Sequence, residues 1–352
     1  MTKPARHRII EEDLALIAAA DIPWHLLQKK TVLISGANGF LPAYMVESLL
    51  RRNEVENGLQ VKVIALVRNQ EKAFTRFASY HGRHDLEFIV QDVCEPIFND
   101  HKVDYVIHAA SPASPKQFGL DPVGTMAANL QGTQSLLQFA RDQEAERFLL
   151  FSSGEVYGEV SAANIPTKED AYGYLNPTAL RSCYAESKRA AESLCVAWSH
   201  QHHVPVTIVR PFHTYGPGMN LEDGRVFSDF VADIVHGRDI VMKSSGSARR
   251  AFCYLADATL GFFTVLLKGE NCEAYNVGND QAEVSIEDLA HCLARLFPRK
   301  TLVIRHALDQ SSTYLPSTVS RSCPDISKIC ALGWRPTTSI ETGFRRTIES
   351  FL

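Results

Sequence analysis

The chain has 352 residues, 45% hydrophobic and 22% charged, with a formal net charge of −4. That length fills one large domain or two tightly joined lobes, and the ordinary globular composition argues against disorder. There is no basic block, so neither nucleic acid nor an anionic membrane surface is an expected partner. No apolar run approaches the roughly 20 residues that span a bilayer. The acidic stretch Glu11-Glu12-Asp13 stands where a signal peptide would need its apolar core. Eight cysteines without a C-x-x-C pair read as reduced thiols, not as a disulfide frame or zinc site. A cytoplasmic protein without a structural metal is the expectation.

Residues 1–30 form an extension, with a helix expected over 11–20 that packs on the body or on a neighbouring subunit. Apolar runs follow at 31–35, 61–67, 86–90, 104–108, 147–151 and 205–209, nearly continuous in Val, Ile and Leu. Such runs imply strands covered on both faces, hence a parallel sheet. Helical spacing at 43–52, 126–142 and 184–201 alternates with them. That order predicts an α/β fold, a Rossmann doubly wound parallel sheet over 31–210. From 211 to 352 the pattern loosens into turns, short strands and helices at 285–296 and 340–351. This segment is expected to be mostly a smaller substrate-binding lobe, with parts returning to the first domain.

The first strand runs into Ser35-Gly36-Ala37-Asn38-Gly39-Phe40-Leu41-Pro42 and then a helix. Gly36 permits the tight turn, and Gly39 lets backbone approach a pyrophosphate held at the helix N-terminus. Asn38, Phe40 and Leu41 complete the loop. Pro42 takes the place of a third glycine, which a helical first turn tolerates. After the second strand comes Arg68, where an NAD enzyme usually carries Asp or Glu; a guanidinium there would suit the 2′-phosphate of NADP. Asp92-Val93 after the third strand and Ala109-Ala110-Ser111 after the fourth are expected to line the adenine and nicotinamide ribose. Ser152 and Pro211 extend that lining.

The fifth strand ends in Ser152-Ser153-Gly154-Glu155, and Tyr184 and Lys188 follow in a predicted helix. Tyrosine and lysine at i and i+4 share one helix face. A nearby ammonium and the positive end of the nicotinamide are expected to lower the phenol's pKa so that it serves as a base near neutrality. Ser153 would hold the substrate oxygen in line with that phenolate.

With these motifs the chain resembles extended short-chain dehydrogenases of nucleotide-sugar metabolism, the NAD-dependent epimerase/dehydratase family. Within that family it is most similar to UDP-glucuronate decarboxylases. The matching stretches are His108-Ala109-Ala110-Ser111-Pro112-Ala113-Ser114-Pro115, Arg181-Ser182-Cys183-Tyr184, Asp223-Gly224-Arg225-Val226, Arg249-Arg250-Ala251-Phe252 and Cys323-Pro324-Asp325-Ile326. The resemblance implies that Ser153 holds the sugar, Glu155 is an acid/base or carboxylate-handling group, and Tyr184 with Lys188 is the redox pair. It also implies that Arg250 binds the nucleotide diphosphate, with Ser111, Ser114, His213, Arg225 and Val226 lining the substrate site. The chain departs from the family at Gly154, where decarboxylases have Ser and 4,6-dehydratases Asp, and at His213, where the family has Asn.

The implied function is modification of a nucleoside-diphosphate sugar through a transient 4-keto intermediate, using NAD or NADP, with decarboxylation ranked first. C4 epimerisation, 4,6-dehydration, NADPH-dependent reduction of a 4-keto-6-deoxy sugar and a non-catalytic cofactor-binding regulator are the alternatives. A homodimer is expected on helices 126–142 and 184–201, with Leu130, Leu137, Leu194 and Trp198 partly buried.

Overall fold

The computed structural model describes residues 6–55, 58–98, 101–306 and 319–352. In chain order the elements are α1 (Arg8–Ala19), β1 (Thr31–Ser35), α2 (Phe40–Glu54), β2 (Lys62–Val67), α3 (Gln70–Arg76), β3 (Leu86–Val90) and β4 (Tyr105–His108). Then come α4 (Pro115–Leu120), α5 (Pro122–Asp142), β5 (Arg147–Phe151), α6 (Ser182–His202), β6 (Val206–Pro211), β7 (His213–Tyr215), α7 (Val226–Val235), β8 (Ile240–Met242) and β9 (Arg249–Tyr254). The chain ends with α8 (Leu255–Lys268), β10 (Glu273–Val277), β11 (Glu283–Ser285), α9 (Ile286–Leu296), β12 (Ile304–His306), β13 (Arg321–Ser322), α10 (Ser327–Ala331) and α11 (Ile340–Glu349).

Seven parallel strands make the main sheet, in the order β10-β6-β5-β4-β1-β2-β3. Strand order reverses at β1, whose two neighbours are β2 and β4. A crevice therefore opens beyond the carboxyl ends of β1 and β4, where ligands of such sheets bind. Helices cover both faces, so Val32, Leu33 and Ile34 of β1 are all fully buried, as near-continuous apolar runs require. The predicted strands lie where the sequence places them. The seventh, β10, comes from the C-terminal part and pairs with β6. The buried helix α8 also returns to this sheet, against β5 and β6. A smaller lobe is built on β11-β9-β13 with β7 alongside β9, and on the pair β12-β8.

Local chemistry sets the helix ends. The Asp121 side chain accepts the Gly124 N–H and Pro122 occupies the first turn of α5, a favoured start. Helix α6 ends at His203 in the left-handed conformation. Pro42 falls in the first turn of α2, which runs on unbroken for 15 residues.

The N-terminal extension is tied to the body. Asp13 of α1 is 3% exposed and accepts hydrogen bonds from Tyr44, Tyr254 and Arg346. Burial pushes its carboxyl above the usual range, against the pull of these three partners. Removing one of them would leave a buried charge short of partners.

Candidate active site

The dinucleotide loop shows why glycine stands at its first position. Gly36 has φ +64°, and a Cβ there would lie 2.7 Å from Ala110 Cα. That close approach packs the β1 turn on the β4 turn. Ser35 Oγ fixes the same junction by accepting the Ala109 and Ala110 N–H groups, and it lies 2.9 Å from His108 Nδ1. Burial holds His108 neutral, with its pKa pushed down to about 3. Gly39 precedes α2 without any side-chain cap, so the first-turn amides remain available to an anion. Asn38 is half-buried in the turn, and Phe40 and Leu41 open α2 and line the cleft.

At the adenine end, Arg68 is 76% exposed and its guanidinium lies 3.8 Å from the Asp92 carboxylate. The chain neighbours of Arg68 lack an acid, but Asp92 in the turn after β3 supplies one. A 2′-phosphate that the Arg68 guanidinium suits would therefore also meet the Asp92 carboxylate. Asp92 also accepts the Cys94 N–H, while the Val93 side chain joins the core. Replacing Asp92 with Asn should raise affinity for NADP relative to NAD several-fold, because a repelling carboxylate is lost beside Arg68. Calorimetric titration of both cofactors checks it; an unchanged ratio would place the pair outside the cofactor's reach.

One cleft runs from the Gly39–Pro42 turn past the end of β5 to the smaller lobe. Ala109, Ser111, Ser152, Ser153, Glu155, Tyr184, Lys188, Pro211, His213, Arg225 and Arg250 all face it. Ser153 accepts the Glu155 N–H and hydrogen-bonds with the Tyr184 phenol. Lys188 is 2% exposed, donates to the Phe151 carbonyl at 2.6 Å, and lies 5.8 Å from the Tyr184 ring centre. Burial pushes its pKa down to about 7. The ammonium does not lower the phenol in the protein alone. Burial pushes it above the ordinary range, against the pull of the Ser153 hydrogen bond and the Arg225 charge. Lys188 is itself too deeply desolvated to lower it within the protein alone.

Several residues do something other than expected. Ser152 lines the cleft but donates its hydroxyl to Glu192 at 2.5 Å. Glu192 in turn is bound by Arg210 through two bonds, and Arg210 donates to Tyr157 and Tyr172. Tyr157 donates to Asn276 of β10. This buried network fixes the β5 turn that carries Ser153, so Ser152 is a fastening. Ser114 is likewise spent on the Asp223 carbonyl at 2.6 Å. Val226 turns into the hydrophobic core, while its neighbours Arg225 and Phe227 face the cleft.

Three cleft residues had no role in the sequence reading. Phe118 stacks on Tyr184 with ring centres 4.7 Å apart and planes at 18°. Arg181 places a guanidinium nitrogen 3.6 Å from Glu155. Arg321 lines the far wall and is held by Glu283 through two bonds. Only Arg181 carried a signal, one turn ahead of Tyr184. Phe118 and Arg321 reach the cleft through long-range folding. Among the described residues no cluster of His, Cys, Asp or Glu suits a metal ion, and no helix is long and apolar enough to cross a membrane.

A switch-point crevice, a glycine turn leading into an uncapped helix, and a Ser/Tyr/Lys set at the end of β5 define an enzyme of the short-chain dehydrogenase type. The chain belongs to the NAD dependent epimerase/dehydratase family, whose family model matches residues 32–278. It is 33% identical to UDP-glucuronic acid decarboxylase 1 of Danio rerio, over 99% of this chain and 79% of that protein. It is also 33% identical to UDP-glucuronic acid decarboxylase 6 of Arabidopsis thaliana, over 91% of this chain and 88% of that one. The fold is shared with UDP-glucuronic acid 4-epimerase from Bacillus cereus, solved with UDP-glucuronic acid and NAD, with a TM-score of 0.76 and 23% identity over 91% and 98% of the two chains. The dTDP-glucose 4,6-dehydratase of Bacillus anthracis, solved with NAD, gives 0.76 at 18% identity over 92% and 96%. The protein is thus a nucleotide-sugar-modifying enzyme, most like the decarboxylases.

Proposed function

We propose that the protein decarboxylates UDP-glucuronate through a ketone at C4, with NAD as cofactor. The observation that carries this is the cleft itself: Ser153, Tyr184 and Lys188 stand at its foot and the Glu155–Arg181 pair beside them. The residue between Ser153 and Glu155 is Gly154. A side chain there would meet the Phe212 ring at 3.2 Å, so the position lacks the acid that a 4,6-dehydratase uses to protonate its departing hydroxyl.

The Gly36–Leu41 turn would hold the cofactor pyrophosphate, with Asp92 toward the adenosine and Ala109–Ser111 and Pro211 toward the nicotinamide ribose. The uncapped N-terminus of α2 behind Gly39 fits such a group. Bound there, the nicotinamide supplies two-electron oxidation of C4 and the later reduction. Ser153 holds the C4 oxygen and Tyr184 takes the hydroxyl proton. The C5 carboxylate is then β to a ketone, so its C–C bond breaks with release of carbon dioxide and the electron pair passes into the C4 carbonyl as an enolate. Glu155, turned toward Arg181, would deliver a proton to C5. Incubation with UDP-, dTDP-, CDP- and GDP-linked glucose and glucuronate, read by mass spectrometry, tests the reading. UDP-glucuronate should lose carbon dioxide; an isomer of unchanged mass would mean 4-epimerisation instead.

We further infer a cytoplasmic homodimer formed by α5 and α6 of two copies. Met126 and Val196 are exposed at 38% and 44%, and Leu130, Leu194 and Trp198 are half-buried. Leu137 faces the sheet and is fully buried. Light scattering at micromolar concentration should give twice the chain mass; a monomer refutes it.

A further inference from the structure

Helix α1 lies ahead of the family-matched segment, residues 32–278, and one of its side chains joins three separate parts of the body. Asp13 is 3% exposed. Its carboxylate accepts the Tyr44 hydroxyl at 3.2 Å, the Tyr254 hydroxyl at 2.7 Å and a guanidinium N–H of Arg346 at 2.8 Å. Tyr44 sits in the second turn of α2, the helix that opens at the dinucleotide turn. Tyr254 is the last residue of β9, and Leu255 begins α8. The chain therefore crosses from the smaller lobe back to the main sheet at the tyrosine that Asp13 holds. Arg346 belongs to α11 and also bonds Glu12 and the Ile9 carbonyl of α1.

From Asp13 two routes lead to the cleft wall. Strand β9 runs back from Tyr254 to Arg250, which faces the cleft. Helix α11 stacks Phe344 on Tyr215 with ring centres 3.8 Å apart and planes at 9°. Tyr215 ends β7, whose first residue, His213, faces the cleft as well. Both ends of α1 are fastened to the dinucleotide half. Arg6, just ahead of α1, donates to Tyr80, and Arg52 of α2 donates to the Ala18 carbonyl. A buried carboxylate adds little stability over an apolar contact, but its donors must stand in fixed places to satisfy it.

We propose that α1 is a strap holding the smaller lobe against the dinucleotide half, and that Asp13 and Tyr254 are positioning residues for nucleotide-sugar binding. The inference rests on the nucleotide-sugar reading of the cleft. With the strap fastened, the wall built on β7 and β9 is held at the width that the bound state needs. Without the Asp13–Tyr254 contact the free protein spends part of its time with that wall displaced, and affinity falls with the fraction that remains competent. NAD on the Gly36–Leu41 turn makes no demand on the wall, so its affinity stays.

The test compares wild type with Asp13→Asn and Tyr254→Phe. Calorimetric titration of UDP, which cannot turn over, and of NAD gives the two affinities, while steady-state decarboxylation of UDP-glucuronate gives kcat and KM. Tyr254→Phe removes one hydroxyl and keeps the ring against Tyr215, so it carries the test even if Asp13→Asn unfolds. Each variant should bind UDP about 3- to 10-fold more weakly, the net worth of one hydrogen bond. KM should rise alike, with NAD affinity and kcat within about twofold of wild type. The double variant should lose no more than Asp13→Asn alone, because both changes cut the same contact. Unchanged UDP affinity beside a lowered melting temperature would make the strap a stabilising contact only and overturn the proposal. Equal losses of NAD affinity and kcat would overturn it as well. The stated UDP shifts in an enzyme inert to UDP-glucuronate would support the strap and refute decarboxylation alone. A wild type that binds no UDP would refute the nucleotide-sugar reading and the proposal with it.

Discussion

Replacing Tyr184 with Phe should reduce turnover by about 10²–10⁴-fold, the usual cost of removing a general base, with cofactor affinity nearly unchanged. The ring would remain, stacked on Phe118 in an apolar pocket, so the fold has no reason to shift. What is lost is the one oxygen that hydrogen-bonds with Ser153 and receives the C4 proton. Because burial holds this phenol above its ordinary pKa in the protein alone, activity should climb with pH until the phenolate forms. The variant's residual activity should show no such limb. Single-turnover kinetics from pH 6 to 10, beside a cofactor titration, measures both. Retention of more than about a tenth of wild-type turnover would mean that another base is in use.

Lys188→Met should abolish turnover yet stabilise the protein. The ammonium is buried and its pKa is pushed down from 10.5 to about 7. Between those values the unfolded chain binds more protons than the folded one, so wild-type stability rises with pH across that window. Below pH 7 the desolvation cost is fully present. Each unit of displacement corresponds to about 1.4 kcal/mol, partly offset in the variant by the Phe151 carbonyl left without its donor. A net gain on the order of 1–2 kcal/mol at pH 6.5, shrinking toward pH 10, is expected. Urea unfolding at the two pH values checks it. A variant less stable than wild type at pH 6.5, or a difference independent of pH, would show that the lysine is not held under strain.

The parts legible in the sequence are those with local causes. Strands β1, β2 and β4 to β6 read correctly because burial on both faces leaves nearly unbroken Val, Ile and Leu; the edge strand β3 is only partly buried but keeps such a run. The glycine turn read correctly because a left-handed residue packed on another backbone admits only glycine at 36. Tyr184 and Lys188 could be placed on one face from helical spacing alone. Strand β10 escaped notice because its five residues, Glu273-Ala274-Tyr275-Asn276-Val277, include a buried asparagine bonded to Tyr157 and to the carbonyls of Thr167 and Asp325. Nothing local marks such a residue as strand.

Side-chain direction was the other limit. Ser152 and Ser114 were placed correctly along the chain, but partners 40 and 109 residues away claim their hydroxyls. The acid beside Arg68 comes from the turn after β3, a neighbour of β2 only once the sheet is assembled. In the protein alone the phenol stands above its ordinary range because burial desolvates Tyr184 and Lys188 together, and the cation that helps to draw the phenol down is itself half neutral near pH 7.

The central claim is most directly tested with UDP-glucuronate labelled at the carboxyl carbon, incubated with the NAD-saturated enzyme while released carbon dioxide is trapped and counted. Wild type should release label in proportion to substrate consumed, and Tyr184→Phe should release almost none. Substrate consumption without released label, or no consumption by an enzyme that binds UDP-glucuronate, would contradict the account.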